Sequence, residues 1–151
     1  MEQTSSSVNS KQFLLEIVTP EKLLFSQGVD FVVVPGREGD FGVLPGHCLL
    51  LANLRIGELQ YTTGETTESV SILSGLAEVT PTKVTILADI AEKAEEIDIE
   101  RAQAALQRAE EHLERGGLPS EVEEAKVSLE KARLRKKIAE RHRQQGGPRR
   151  S

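Results

Sequence analysis

The sequence predicts an antiparallel β sandwich or barrel followed by an antiparallel helical hairpin. Before Glu92, short runs rich in β-branched residues recur with turn signals between them, and after it Ala, Glu, Lys, Arg and Leu dominate. Many short strands at close spacing are typical of sandwiches and barrels. No stretch of helical length interrupts these strands, so a βαβ fold is not expected.

Eight segments of the first part are predicted strands, because each is a short apolar or β-branched run bounded by turn residues. They are Phe13–Thr19, Leu23–Ser26, Val29–Val34, Cys48–Leu54, Glu58–Thr63, Glu68–Leu73, Ala77–Thr80 and Val84–Ala88.

The glycine-rich stretch VVVPGREGDFGVLPGH at residues 32–47 raises the question of a phosphate-binding loop. It lacks the lysine, the hydroxyl residue and the following helix of a Walker loop, and its glycines do not have dinucleotide-fingerprint spacing. Pro35-Gly36 and Pro45-Gly46 match the central positions of type II turns, while Gly39 and Gly42 suit a positive φ or a bulge. We interpret these glycines as strand turns.

The second part predicts two amphipathic helices. Apolar residues at helical spacing form one stripe at Ala102, Ala105, Leu106, Ala109 and Leu113, and another at Val122, Ala125, Leu129 and Ala132. Asp98 is placed to cap the first helix and Gly116-Gly117 to end it, and Ser120 with Glu123 predicts a capping box for the second. The narrow, alanine-rich stripes predict a hairpin of marginal stability that can move.

Charge is distributed unevenly along the 151 residues, whose net charge is -5. From Lys131 onward nine basic residues stand against the single acid Glu140, so this tail carries +8 and the rest carries -13. Such a tail suits an acidic partner. The tail has no aromatic residue for base stacking, so an acidic protein is favoured over nucleic acid.

No catalytic or metal site is expected. His47 and Cys48 are adjacent and point to opposite faces if they lie in a strand, and His112 and His142 are interpreted as solvated helix residues. No cysteine and histidine cluster has zinc spacing. One cysteine permits no internal disulfide, and neither a signal peptide nor a membrane span is evident, so we expect a soluble intracellular protein.

Four segments in order resemble the epsilon subunit family of bacterial F-type ATP synthases: FLLEIVTPEKLLFS, VVVPGREGDFGVLPGH, ILSGLAEVTPTKVTILADIAE and EEIDIERAQAALQRAEEHL. The resemblance runs from Phe13 to about Ile138. Its most specific parts are Glu38–His47 and Val84–Asp89. It implies a sandwich of about ten antiparallel strands and a C-terminal helical hairpin.

The resemblance also implies a non-catalytic rotor subunit that binds the gamma subunit and the c-ring and passes torque between them. Asp40 matches a loop acid that faces the c-ring, His47 matches a residue that faces gamma, and Glu38 belongs to the same gamma/c-ring interface. Asp40 can instead be a turn-stabilising Asx residue, and His47 a packed loop histidine. The family works as a peripheral protein on the cytoplasmic face of the bacterial membrane, without inserting into it and without a required cofactor.

The hairpin is implied to inhibit ATP hydrolysis when it extends to the alpha/beta hexamer. Its basic second helix would pair with acidic groups of beta through Arg133, Arg135, Lys136 and Lys137. The alternative is a solvated basic helix that does not move. The expected domains are a flexible tail at 1–11, a sandwich at 12–95, the hairpin at 96–144 and a flexible basic tail at 145–151. A different class of function, an adaptor whose tail binds nucleic acid or an acidic protein, is the alternative.

The first helix begins with a segment that, in some family members, holds a regulatory ATP. Its residues here are Ile97, Asp98, Arg101 and Ala102, and the resemblance adds Glu92, Arg108, Lys131 and Arg135. Arg101 and Arg108 share a helix face, as do Lys131 and Arg135. Lys131 stands where ATP-binding members tend to carry arginine. The alternative is that Asp98 only caps the helix and the arginines are solvated.

Overall fold

The computed structural model describes residues 12–46 and 48–145, and its chain divides into two compact units between Ala91 and Glu92. The strands are β1 Phe13–Val18, β2 Leu23–Val29, β3 Phe31–Gly36, β4 Gly39–Val43, β5 Leu50–Thr63, β6 Thr66–Val79, β7 Lys83–Ala88 and β8 Ala91–Lys93. A short 3₁₀ helix at Ala94–Glu96 precedes α1 Ile99–Arg115 and α2 Pro119–Gln144.

The strands of the first unit form a mostly antiparallel sheet in the order β2-β1-β7-β6-β5-β3-β4, and β8 pairs with β6 beside this path. Only the β1–β7 pair is parallel within the described residues. The ring of Phe25 on β2 lies 4.6 Å from that of Tyr61 on β5, so distant strands of the sheet pack face to face. The predicted sandwich with a C-terminal helical hairpin is confirmed.

The core lies between the two layers of this sheet. Buried and less buried residues alternate along β1 and β7, as expected when one face of a strand packs inward. The residues buried below 2% exposure include Leu15, Ile17, Val32, Val34, Leu54, Leu59, Ile72, Val84 and Ile86. No residue after Ala91 belongs to this core among the described residues.

Four predicted strands are in fact two long ones, and β4 and β8 were not among the predicted segments, so the described residues form eight strands where the resemblance implied about ten. β5 and β6 are 14 residues each and stay paired through a bend between Leu54↔Gly75 and Ile56↔Leu73. Ser74 and Gly75 have φ of 68° and 141° there. A Cβ at residue 75 would lie 2.2 Å from the carbonyl oxygen of Leu87, so only glycine fits.

The glycine-rich stretch forms turns between strands, as predicted, but the turns do not lie at every predicted position. Pro45-Gly46 is a turn, and Gly46 has the positive φ of 83° that a type II turn requires. Pro35-Gly36 is not a turn, because both residues belong to β3 and pair with β4, and the turn is Arg37-Glu38. Gly39 has φ 136°, which fits the expectation of positive φ. Gly42 has no positive φ and instead gives room to the ring of Phe31.

The first helix begins and ends where its sequence predicts. The Asp98 carboxylate accepts hydrogen bonds from the backbone N–H groups of Glu100 and Arg101, at 3.0 and 3.2 Å. Gly116 follows the helix with φ 72°. Ala102, Leu106 and Ala109 are the buried part of the predicted stripe.

The second helix begins earlier than predicted. Pro119 is its first residue, a position where proline is favoured because its missing N–H would have no helical partner. The Glu121 carboxylate accepts from the backbone N–H of Leu118 at 3.0 Å. The predicted Ser120–Glu123 capping box is therefore wrong, and Ser120 lies inside the first turn.

The helical unit holds a small apolar cluster of its own at the end of α2. Ile138 and Ala139 pack there against Ala94 and Ile97. The last strand, β8, extends to Lys93, just past the change in composition near Glu92. Within the described residues, no helix is both long and apolar enough to cross a membrane.

Candidate functional site

The helical unit contains a cavity of about 280 Å³ where residues 92–98 approach the two helices; we call it the linker cavity. Seven of the eight predicted ATP-site residues line it: Glu92, Ile97, Asp98, Arg101, Ala102, Arg108 and Arg135. The fold thus brings together residues up to 43 positions apart.

Local structure explains how these side chains are placed. Asp98 is fixed as the helix cap, and Ile97 is anchored in the small apolar cluster. Arg101 and Arg108 lie two helical turns apart, so they project from one face of α1. From α2, the Arg135 guanidinium Nε donates to Glu92 Oε1 at 2.7 Å.

Three arginines and three acids line the linker cavity: Arg101, Arg108, Arg135, Glu92, Glu96 and Asp98. Glu92 is engaged by Arg135, and Glu96 and Asp98 accept hydrogen bonds from backbone N–H groups. In the described part of the chain, neither Arg101 nor Arg108 forms an ion pair with a carboxylate. Two guanidinium groups are therefore available to bind phosphate or carboxylate oxygens bidentately.

A second cavity, of about 600 Å³, runs between the two helices; we call it the inter-helix groove. It shares Ala105, Arg108 and Arg135 with the linker cavity. Lys131, the eighth predicted residue, lines this groove and not the linker cavity. The four predicted cations therefore occupy two adjoining cavities.

Sequence reasoning missed two basic residues of the groove, His112 and Arg115. His112 was interpreted as a solvated surface residue, whereas it is half-buried and lines the groove. The spacing Arg108, His112, Arg115 was a signal for it, because residues three and four apart share a helix face.

The predicted inhibitory cations do not behave as one group. Arg133 and Lys137 are exposed on α2. Lys136 Nζ lies 3.8 Å from Glu140 Oε2, and Arg135 is engaged by Glu92. Arg133 and Lys137 are thus the two of the four best placed to meet another protein.

The predicted interface loop of the sandwich is exposed. Glu38 lies in the β3–β4 turn and Asp40 on β4, and both line a surface cavity of about 470 Å³. The Asp40 carboxylate accepts a hydrogen bond from the Arg55 guanidinium. His47 lies outside the described residues.

Apolar side chains accompany these acids. Leu49 and Leu51 are 77% and 65% exposed, and Leu50 and Leu51 line the same cavity as Glu38 and Asp40. Consecutive exposed leucines beside charged residues are typical of a protein-binding surface.

Comparison with known protein families matches nearly the whole described chain. Residues 12–94 match the beta-sandwich domain of the ATP synthase Delta/Epsilon chain. Residues 95–140 match the long alpha-helix domain of the same chain.

Two curated relatives illustrate the similarity. The ATP synthase epsilon chain of Syntrophobacter fumaroxidans is 49% identical over 132 residues, which cover 87% of this chain and 98% of the relative. The ATP synthase epsilon chain of Desulforamulus reducens is 45% identical over 126 residues, covering 83% and 96%.

Solved structures share the fold. A chain in the Euglena gracilis mitochondrial ATP synthase structure (OSCP/F1/c-ring, rotational state 1) aligns with a TM-score of 0.74 at 23% identity, covering 89% of this chain and 85% of that one. A chain of the Tetrahymena thermophila mitochondrial ATP synthase central stalk/c-ring structure aligns with a TM-score of 0.56 at 17% identity, covering 87% and 99%.

Proposed function

The chain belongs to the ATP synthase delta/epsilon family, and from this premise we propose that it is the epsilon subunit of an F-type ATP synthase, a non-catalytic rotor subunit in the central stalk. The observation that carries this proposal is the 49% identity to an epsilon chain that it covers almost completely. Nothing supports the alternative of a nucleic-acid-binding adaptor.

The sandwich is the part that docks onto the rotor. Its exposed Leu49–Leu51 run, together with Glu38 and the Asp40–Arg55 pair, offers an apolar surface with a charged rim to the gamma subunit and the polar loops of the c-ring. The subunit is then peripheral, held on the cytoplasmic face of a bacterial membrane through these partners.

Co-purification tests the rotor role. Tagged full-length chain recovered from its native membranes is expected to bring down alpha, beta, gamma and c subunits. Leu51→Asp should lower the recovery of gamma and c, because it places a charge in the apolar interface. Leu118→Asp is the matched control, since Leu118 is 64% exposed but lies between the helices in sequence. Absence of all four subunits contradicts the proposal.

The hairpin regulates hydrolysis. When it extends toward the alpha/beta hexamer, exposed cations of α2 meet acidic groups of beta and slow ATP hydrolysis. The thin alanine stripes support such movement, because small side chains bury little apolar area at about 25 cal/mol per Å².

The linker cavity holds a regulatory ATP that stabilises the closed hairpin. The available guanidinium groups of Arg101 and Arg108 fit phosphate oxygens, which supports this assignment. Ligand pockets usually measure about 300–1,000 Å³. The linker cavity alone is therefore small for a whole nucleotide, and the adjoining groove supplies the remaining space.

Calorimetry of the full chain with ATP tests this site. ATP should release heat and raise the melting temperature of the hairpin, since a ligand that binds the folded state stabilises it. Arg101→Ala should weaken binding, whereas Arg133→Ala, which removes the same charge outside both cavities, should not. Equal losses in the two variants, or no binding at millimolar ATP, contradict the ATP site and leave the rotor role intact.

A further inference from the structure

Cations line the inter-helix groove well beyond the part that it shares with the linker cavity. Arg108, His112 and Arg115 project from one face of α1, and Lys131 and Arg135 are four residues apart on α2. Four of these five side chains are permanently charged at neutral pH. Two acids, Glu111 and Glu124, also line the groove, so its field favours an anion without being purely positive.

The rest of the lining limits what kind of anion can bind. Small residues, Ala105, Ala109, Ala125, Ser128 and Ala132, make up the uncharged part of the groove, and no phenylalanine, tyrosine or tryptophan lines it. The imidazole of His112 is the one ring in the lining on which a base could stack, so a nucleic-acid strand would have no series of stacking platforms. The groove therefore offers mainly charge and space.

The length of the cation series is the decisive feature. From Arg101 in the linker cavity to Arg115 in the groove, α1 rises by about 21 Å at about 1.5 Å per residue. A triphosphate on Arg101, Arg108 and Arg135 leaves Arg115 and Lys131 unused. A linear anion with a charge on every unit would engage the whole series.

We propose that the linker cavity and the inter-helix groove together bind a condensed phosphate chain longer than a triphosphate, either inorganic polyphosphate or the tail of a nucleoside polyphosphate. This inference rests on the phosphate site proposed above and extends it along both helices. Because such a ligand adds contacts to Arg115 on α1 and Lys131 on α2, it stabilises the closed hairpin more strongly than a triphosphate does.

The test compares chain lengths on the full chain. Inorganic polyphosphate of medium length should bind at least about fivefold tighter per chain than inorganic tripolyphosphate, because each added contact to an exposed cation contributes a factor of roughly two to five. Arg115→Ala should lower the affinity for the long polyphosphate by a factor of that size and leave the affinity for tripolyphosphate unchanged. Arg115→Lys should largely restore the affinity, because it restores the charge.

Two further variants distinguish a specific binding site from nonspecific electrostatic attraction. Arg133→Ala removes one charge outside both cavities, so it should have less effect on polyphosphate than Arg115→Ala. Glu124→Gln should tighten long-chain binding, since it removes a repelling carboxylate from the groove. Melting curves of each variant establish that the hairpin is still folded.

The outcomes distinguish this inference from the ATP site. Equal affinity for short and long chains, or equal losses in Arg115→Ala and Arg133→Ala, overturns the extended site even if Arg101→Ala still abolishes ATP binding. Length-dependent binding without any ATP binding overturns the ATP site alone. Comparing the affinities for adenosine tetraphosphate and inorganic tetraphosphate identifies the source of the ligand. If the site binds a nucleoside polyphosphate, the adenosine compound should bind more tightly, because only it gains affinity from a base.

Discussion

Arg135 and Glu92 join α2 to the segment before α1, with guanidinium Nε and carboxylate Oε1 2.7 Å apart across 43 residues of sequence. Their side chains are only 28% and 34% exposed, so the pair is better shielded from water than a typical surface ion pair. Arg135 also lines both cavities of the helical unit. One side chain thus links the position of α2 to the proposed phosphate site.

Glu92→Gln should loosen the attachment of α2 by up to about 1 kcal/mol, because it removes the carboxylate charge that Arg135 engages. Hydrogen exchange at the C-terminal turns of α2 should become faster, and ATP hydrolysis by the assembled complex should fall as the hairpin extends more often. Glu140→Gln is the control, because it removes a carboxylate of α2 whose partner, Lys136, lies on that same helix. The same exchange rates in both variants would mean that the Arg135–Glu92 pair has no special role.

Deletion of residues 96–151 should leave a folded sandwich. The core of the sheet unit contains no described residue after Ala91, so no core contact is lost. We expect a cooperative thermal transition of the β signal, incorporation into the complex, and faster ATP hydrolysis than with the full chain. Slower hydrolysis would contradict an inhibitory hairpin.

Replacement of both Arg133 and Lys137 by alanine should weaken inhibition roughly two- to fivefold without lowering the melting temperature, because both side chains are exposed. Raising the salt concentration should reproduce the loss in the unchanged chain, since ions screen exposed charges beyond about 10 Å at 0.1 M. ATP hydrolysis measured at low and high ionic strength checks both. Unaltered inhibition would show that shape, and not charge, carries the contact.

Gly75→Ala should destabilise the sandwich by about 3 kcal/mol or more, because the new Cβ would clash with the Leu87 carbonyl at a φ of 141°. Gly64→Ala is the matched control. Gly64 also has a positive φ, 64°, but nothing lies within 4 Å of its Cβ position, so the cost should stay near 1 kcal/mol. Denaturant unfolding of the two variants measures the difference, and equal midpoints would disprove the role assigned to the bend.

The sequence alone determined the features that depend on near neighbours in the chain. The change from strands to helices near Glu92, the Asp98 cap and the Gly116 stop follow from periodicity and from the hydrogen-bonding needs of helix ends, which involve residues within about four positions. Four segments in their order, of which residues 38–47 are among the most specific, were sufficient to indicate the family.

Only the tertiary structure decided which distant residues meet. The merging of four predicted strands into two depends on a close approach of Gly75 to β7, and the Asp40–Arg55 and Glu92–Arg135 pairs depend on the path of the chain over 15 and 43 residues. Helical spacing placed Lys131 and Arg135 on one face of α2. The packing of the two helices decides that Lys131 lines the groove and that Arg101 lines the linker cavity. Local rules fix a residue's face on its own element, whereas the packing of elements fixes what that face touches.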